Sequence, residues 1–155
     1  MTPITILCTA LLELHDPWSG IPRAEALETC TKVAHAAIEV GEDPAEAAAQ
    51  AGIESRWHAA AARGLGHGPL QVLPRYYCPR SGPCDLITAG LEARARWAKA
   101  MRAKGLRRPV DALCAYHRGY AYRGGGCAYG RKVLGLAERA RAQVEARVAA
   151  AGEAM

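Results

Sequence analysis

The chain has 155 residues, half of them apolar, with a formal charge of +5 and a pI near 9.0. This length suits one domain that buries its own core, so we predict a single domain over residues 1–155. Ala is abundant, Phe is absent and β-branched residues are sparse, which favours a predominantly α fold. The positive charge suits an anionic partner but does not distinguish nucleic acid, acidic lipid and bacterial wall polymers.

The most apolar run, Ile4 to Leu14, is too short to cross a bilayer and contains Glu13, so we expect no transmembrane segment. No Lys or Arg precedes the run, so it also lacks the basic start of a signal peptide. Ile4, Leu7, Leu11 and Leu14 recur at helical spacing. The run is therefore predicted to be an amphipathic first helix that contributes to the core.

A second helix is predicted from Pro22 to about Val40, because Pro suits a helix start and Gly41 suits its end. Residues at helical spacing define the face that we expect to be buried. They are Leu27, Cys30, Ala34 and Ile38.

The third predicted helix begins at Asp43-Pro44-Ala45-Glu46, which places a capping aspartate, a first-turn proline and a capping-box glutamate in order. It continues from Ala47 to Ser55. Ala47, Ala51 and Glu54 share one stripe, so Glu54 extends the packed face. A carboxyl there loses hydration, which raises its pKa and lets it hold a proton near neutral pH. Glu54 is therefore a candidate general acid.

The stretch from Arg63 to Pro83 is rich in Gly and Pro, which predicts irregular structure in a surface loop of the kind that often carries function. Asp85 can cap a fourth helix that ends near Gly105. The residues that recur on one side of this helix are Leu86, Ala93, Trp97 and Ala100.

Pro109 opens a shorter fifth helix through Tyr116, and three adjacent glycines in the loop 119–126 preclude regular structure there. A long final helix follows, defined by residues at helical spacing: Tyr129, Val133, Ala137, Ala140, Val144 and Val148. The sequence thus predicts about six helices, with no internal repeat and no linker.

Six cysteines are many for a chain of this size, and their number is even. None forms a Cys-x-x-Cys pair and no His clusters near them at zinc-ligand spacing, so disulfides are favoured over a metal site and over buried free thiols. Disulfides indicate an oxidising compartment. The sequence alone does not choose among the possible pairings, and our working choice joins sequence neighbours: Cys8–Cys30, Cys78–Cys84 and Cys114–Cys127.

Three ordered segments of the chain carry a family resemblance. They are 41–57, which ends in Ile53-Glu54-Ser55-Arg56-Trp57; Gly68-Pro69-Leu70-Gln71-Val72-Leu73-Pro74; and Ala115-Tyr116-His117-Arg118-Gly119, followed by Arg131-Lys132-Val133-Leu134. Together they resemble the soluble lytic transglycosylase family, which shares the lysozyme fold and includes phage- and secretion-associated members. The segments are similar to its catalytic Glu-Ser helix, its Gly-Leu-Met-Gln-x-Met-Pro groove signature and its Ala-Tyr-Asn-x-Gly segment. The resemblance covers residues 41–134.

This resemblance implies a lysozyme-like enzyme that cleaves peptidoglycan glycan strands without a cofactor or metal. Glu54 would protonate the glycosidic oxygen between N-acetylmuramic acid and N-acetylglucosamine, then act as base, giving 1,6-anhydromuramic ends. Gln71 would hydrogen-bond the sugar, and Tyr116 would orient Glu54 through its hydroxyl. Further substrate-binding residues implied by the resemblance are Ser55, Leu70, Tyr77 and His117. Tyr76 and Trp57 offer flat apolar surfaces for sugar rings, although Trp57 is favoured as a core residue.

Two residues depart from the family's pattern. Pro69 replaces an apolar residue of the groove signature and has no backbone N–H, so any sugar contact from that amide is lost. His117 stands where Asn is usual, and a histidine can still donate to a sugar oxygen. The resemblance therefore predicts a groove with altered sugar contacts.

The nearest alternative is a hydrolytic lysozyme of the same fold, which needs a second carboxylate to manage water. Asp85, Glu92 and Asp111 are the candidates, and none has a recognisable catalytic context. We therefore favour the single-acid mechanism, in a monomer that acts in the periplasm or outside the cell.

Two further alternatives come from other functional classes. A basic nucleic-acid-binding domain is supported by the pI and by Arg139, Arg141 and Arg147, but it leaves the cysteines and the three motifs unexplained. A wall-binding module without catalysis is the other, and Glu54 argues against it. We expect no nucleic-acid partner.

Overall fold

The computed structural model describes residues 1–17 and 19–154, which contain seven α-helices and one short hairpin. Residues 18 and 155, which the predicted domain includes, lie outside the described residues. The helices are α1 Pro3–Leu14, α2 Arg23–Glu39, α3 Pro44–Ser55, α4 Pro74–Tyr77, α5 Leu86–Ala103, α6 Pro109–Arg118 and α7 Ala128–Glu153. Strands β1 Ala62–Arg63 and β2 Gly66–His67 pair antiparallel, and a 3-10 turn spans Gly119–Ala121. The predicted, predominantly α single domain is confirmed.

Helix α3 lies at the centre of the fold and packs against α2 on one side and α7 on the other. Its residues 47–52 are all buried, and four of them are alanines. A helix buried all round needs small side chains if its neighbours are to approach closely. Helices α1 and α6 also pack on α7, and α5 packs on α6. At its end, α3 reaches the edge of the core, where Ile53 and Glu54 are half-buried.

Local sequence signals start the helices as predicted. The Asp43 carboxylate accepts from the backbone N–H groups of Ala45 and Glu46 at 2.9 and 3.0 Å, and Asp85 caps α5 in the same way. The capping box predicted for Glu46 is not formed, because its carboxylate lies near Arg94 and Arg141 instead. Each cap still satisfies two backbone donors at a helix start.

The chain leaves α3 through a tight left-handed turn that turns Trp57 back beneath the helix. Arg56 and Trp57 have φ values of 50° and 59°, which residues with a Cβ seldom adopt. Trp57 is fully buried, and its indole N–H donates to the carbonyl of Ala48 at 2.9 Å. Gly52 makes this possible, because a Cβ there would lie 2.4 Å from the indole ring. Trp57 is thus a core residue and offers no surface to a sugar.

All three predicted disulfides are present. Cys8–Cys30 joins α1 to α2, Cys78–Cys84 closes the loop between α4 and α5, and Cys114–Cys127 joins α6 to the start of α7. No cysteine in the described part of the chain is free. The third bridge fixes α6 against α7, the two helices that face Glu54.

Three expectations about the elements were wrong. The loop 119–126, expected to lack regular structure, begins with the 3-10 turn Gly119–Ala121, which ends before the three adjacent glycines. Ile38, predicted on the inner face of α2, is 51% exposed, because the buried stripe is made of smaller residues such as Ala26, Val33 and Ala37. The stretch predicted as irregular contains β2 and α4, which adds a helix to the six expected. None of the helices in residues 1–17 and 19–154 is both long and apolar enough to span a bilayer.

Candidate active site

Glu54 lies in the last turn of α3, at the wall of an open cleft of about 560 Å³. The cleft is bounded by the hairpin, the loop that follows it, α6 and α7. Its other lining residues are Ile53, Arg63, Leu65, Gly66, Gln71, Leu73, Tyr116, His117 and Tyr129. The central helix thus delivers one carboxyl to a solvent-accessible cavity.

Burial raises the pKa of the Glu54 carboxyl above its usual value, as its position on the packed stripe predicted. A hydrogen bond from the Tyr129 hydroxyl and the positive charge of Arg63 lower the pKa by smaller amounts. Desolvation therefore dominates. A carboxyl in this setting holds a proton at higher pH than a solvated Glu does, which is the condition for a general acid.

Tyr129, at the start of α7, is the residue that orients Glu54. Its hydroxyl donates to Oε1 of Glu54 at 2.5 Å. Burial and the neighbouring Glu54 carboxyl raise the pKa of Tyr129 well above its ordinary value, so the phenol stays neutral and can donate. The His117 ring stacks on the Tyr129 ring, with centroids 4.4 Å apart and planes 9° from parallel. This stacking covers one face of the Tyr129 ring and so restricts its movement.

The orienting role predicted for Tyr116 was wrong. Its hydroxyl donates to the backbone carbonyl of Leu70 at 2.6 Å and so ties α6 to the loop after the hairpin. Tyr116 nevertheless lines the cleft close to Glu54, whose charge helps to raise the pKa of Tyr116. In the sequence, Tyr129 belongs to the apolar stripe of the final helix. Its partner lies 75 residues earlier, so no local signal indicated the contact.

The groove segment 68–74 is held mainly by contacts within the protein. Gln71, expected to bind sugar, donates from Nε2 to the carbonyls of Ala61 and Gly68 at 3.0 and 2.8 Å, and its Oε1 accepts from the Arg63 N–H at 3.1 Å. Its backbone adopts a φ of 49°. Gln71 lines the cleft, and because both N–H groups of its amide bind backbone carbonyls, the second lone pair of Oε1 is the part of the amide left for a sugar.

Two other predicted substrate contacts are buried. Ser55 is inaccessible, and its hydroxyl lies 2.8 Å from the Pro69 carbonyl and 2.9 Å from the Ala51 carbonyl, between which its single proton is shared. The Leu70 side chain is also fully buried, against Gly90. Both residues position the loop beside Glu54 and do not touch the cleft. Their assignment as substrate-binding residues was therefore wrong.

A second basin of about 650 Å³ continues the cleft and shares Gln71, Leu73, Tyr116 and His117 with it. Its walls are aromatic and basic: Tyr76, Tyr77, Arg96, Trp97, Arg118 and Tyr120. The guanidinium of Arg96 lies 5.3 Å from the ring centre of Tyr77, and the rings of Trp97 and Tyr120 lie 5.0 Å apart. Together the two cavities form one groove. The sequence singled out Tyr77 but not Tyr120, which is 74% exposed.

None of the three candidate second carboxylates lines this groove in the described part of the chain. Asp85 caps α5, and Glu92 pairs with Arg96 one helical turn away at 2.7 Å. Asp111 is buried and accepts from the Tyr122 hydroxyl at 2.5 Å. Among the described lining residues Glu54 is the sole carboxyl, so the acid and base chemistry available there rests on one group.

The arginines of α7 are partly neutralised by neighbouring helices. Arg141 pairs with Asp43 at 2.5 Å, and Arg147 pairs with Glu13. Arg139 donates to the Gly135 carbonyl of its own helix. The basic face that the sequence indicated is therefore partly occupied by ion pairs within the protein.

Comparison of the chain with protein-family models, with curated proteins and with solved structures found no match to any of them. In residues 1–17 and 19–154 no three His, Cys, Asp or Glu side chains gather in a way that could hold a metal ion. The function is therefore argued from the groove itself.

Proposed function

We propose that this protein is a lytic transglycosylase with a lysozyme-like fold that cleaves the β-1,4 bond between N-acetylmuramic acid and N-acetylglucosamine in peptidoglycan. The observation that carries the proposal is the setting of Glu54. It is a desolvated carboxyl with a raised pKa, oriented by Tyr129 at 2.5 Å, in a groove without a second carboxylate among its described lining residues.

The shape and lining of the groove support a polysaccharide substrate. Two contiguous cavities of about 560 and 650 Å³ leave room for more than one sugar ring. Exposed tyrosines offer flat apolar faces against which sugar rings can pack, and Tyr76 and Tyr120 are 60% and 74% exposed. Arg118 suits the carboxylates of the peptide stem that muramic acid carries, whereas Arg96 is already paired with Glu92.

The first step needs a protonated Glu54. The carboxyl donates its proton to the glycosidic oxygen while the bond to C1 of the muramic acid breaks, and N-acetylglucosamine leaves with a free 4-hydroxyl. The N-acetyl oxygen of the same muramic acid stabilises the positive charge at C1. Tyr129 assists by holding Oε1 of Glu54, which leaves Oε2 to carry the proton.

The second step uses the carboxylate that the first step leaves behind. Glu54 removes the proton of the muramic acid C6 hydroxyl, whose oxygen attacks C1 within the same sugar. The product is a 1,6-anhydro ring, and Glu54 regains its proton. No water is consumed, so a second carboxylate to activate water is not required.

The competing functions receive less support. A hydrolytic lysozyme requires a water-managing carboxylate, and Asp85, Glu92 and Asp111 are engaged elsewhere. A nucleic-acid-binding domain would use the arginines of α7, of which Arg141 and Arg147 are paired with acidic residues. A non-catalytic wall-binding module would have no need for a desolvated carboxyl such as Glu54. The disulfides fit a site of action in an oxidising compartment, either periplasmic or extracellular.

The decisive variant for this proposal is Glu54→Gln. Purified wild-type protein should clear a suspension of wall sacculi, and Glu54→Gln should not, although it keeps the helical circular dichroism of the parent. Glu28→Gln is the matched control, because Glu28 lies exposed on α2 and pairs with the equally exposed Lys32. Clearing by a folded Glu54→Gln protein would refute the site. Binding of sacculi without clearing by wild type would indicate a wall-binding module, and a gel shift at physiological salt would indicate a nucleic-acid binder.

A further inference from the structure

A chain of polar side chains runs from the outer surface of α3 to Glu54. Gln50 lies one helical turn before Glu54 and is fully buried. Its Oε1 accepts a hydrogen bond from the guanidinium of Arg94 on α5. Arg94 in turn donates to Glu42 at 2.6 Å and lies 4.0 Å from Glu46, with only 10% of its side chain exposed. Arg94 is thus held on one side by carboxylates while it holds the Gln50 amide on the other.

The opposite end of the Gln50 amide, Nε2, is buried without a hydrogen-bond partner in the described part of the chain, one helical turn before Glu54. Burial and Glu54 raise the pKa of Tyr129, and the neighbouring Gln50 amide lowers it by a smaller amount. A guanidinium only donates, so Arg94 requires the amide oxygen of Gln50 and turns the amide nitrogen toward Tyr129. The Tyr129 oxygen then faces a donor, and its own proton is left for Glu54.

We propose that Gln50 and Arg94 are positioning residues that fix the direction of the hydrogen bond from Tyr129 to Glu54. The effect on cleavage rests on the proposed function, but the hydrogen-bond direction does not. A side-chain amide can rotate to exchange its oxygen and nitrogen. Without Arg94 the amide oxygen of Gln50 can turn toward Tyr129 and accept its proton, and Glu54 then loses its partner.

Groups on every neighbouring element line the cleft around Glu54: Tyr129 from α7, Tyr116 and His117 from α6, and Arg63 from the hairpin. After burial, Tyr129 and Arg63 are the groups that shift the pKa of Glu54, and both lower it. Arg94 also acts as a charge, since it lowers the pKa of Tyr116. A test must therefore separate the orientation of the amide from the charge of the arginine.

A double-mutant cycle makes this separation, with the pKa of Glu54 measured by NMR of its labelled carboxyl carbon. Arg94→Met should raise the pKa, because the freed Gln50 amide takes the Tyr129 proton and the carboxylate loses a stabilising hydrogen bond. In a Gln50→Leu background no competing acceptor remains, so the same Arg94→Met change should leave the pKa nearly unmoved. Arg141→Met is the matched control, because Arg141 approaches Glu46 at 3.9 Å but does not contact Gln50.

An equal rise of the Glu54 pKa in both backgrounds would overturn the proposal, because Arg94 would then act only as a charge. The absence of any rise in either background would also overturn it. If Arg94→Met does not fold, Arg94→Gln is taken through the same cycle, since an amide can donate or accept and so no longer requires the oxygen of Gln50. For the enzyme, Arg94→Met should slow sacculus clearing roughly fivefold at neutral pH. If the titration cycle behaves as expected while wild type clears no sacculi, the proposed function fails and the positioning role stands.

Discussion

The Tyr129 hydroxyl donates to Oε1 of Glu54 at 2.5 Å, joining the first turn of α7 to the last turn of α3. The contact affects the acid in two ways. It holds the carboxyl in one orientation, and it partly offsets the desolvation that raises the pKa of Glu54. The balance sets how far the pKa of Glu54 lies above its usual value.

Tyr129→Phe tests this balance directly. Phe keeps the ring that stacks on His117 but removes the hydroxyl, so the pKa of Glu54 should rise further. The alkaline limb of the pH profile of clearing should move to higher pH, while the maximal rate falls about tenfold because the acid is less well oriented. Rates measured across a pH series for both proteins give the result. An unchanged profile would show that Tyr129 is only a packing residue.

Glu54→Gln should stabilise the protein in a pH-dependent way. Burial raises the pKa of Glu54 in the folded state, so ionisation of this carboxyl disfavours folding once the pH exceeds its unfolded value. At pH 7 the Gln variant should unfold at a temperature a few degrees higher than wild type. The difference should shrink as the pH falls and vanish below about pH 4, where the carboxyl is protonated in both states. A difference that does not depend on pH would contradict this account.

Gly52→Ala tests the support beneath the site. The new Cβ would lie 2.4 Å from the Trp57 ring, which is fully buried, so we expect a loss of at least about 1–3 kcal/mol in the free energy of unfolding. Gly135→Ala is the control in another helix, because a Cβ at Gly135 meets nothing within 4 Å. It should stabilise the protein by about 0.5–1 kcal/mol. Urea unfolding of both variants gives the comparison, and equal effects would refute the packing around Trp57.

Much of the fold could be predicted from the sequence because its signals are local. The Asp43 and Asp85 caps and the prolines at helix starts act within one turn, so short patterns find them. The half-buried position of Glu54 followed from small neighbours at helical spacing. Ile38 was misplaced because several alanines in α2 make more than one stripe look apolar.

The rest of the site depends on contacts between distant segments. The pairing of Tyr129 with Glu54 and of Arg94 with Gln50 spans 75 and 44 residues, and no pattern within one helix encodes it. Gln71 was taken for a sugar ligand because its amide could serve either sugar or backbone. In the structure the amide nitrogen Nε2 serves the backbone, because the Ala61 carbonyl lies 3.0 Å from it.

The disulfides should differ in their contributions to stability. Double replacement of Cys8 and Cys30 by Ala should cost about 1 kcal/mol more than the same change at Cys78 and Cys84, because the bridges span 22 and 6 residues. Loss of the fully buried sulfurs of the first bridge adds to that difference. Denaturant unfolding of the two double variants measures it. Six titratable thiols in the native protein would refute the bridges themselves.

The central claim is that one carboxyl, Glu54, breaks the glycan bond without water. Mass spectrometry of the muropeptides released from sacculi in ¹⁸O-labelled water tests this most directly. We expect 1,6-anhydromuramic ends, each lighter by one water than a reducing end and free of the label. Reducing ends that carry ¹⁸O would show hydrolysis and contradict the single-carboxyl mechanism.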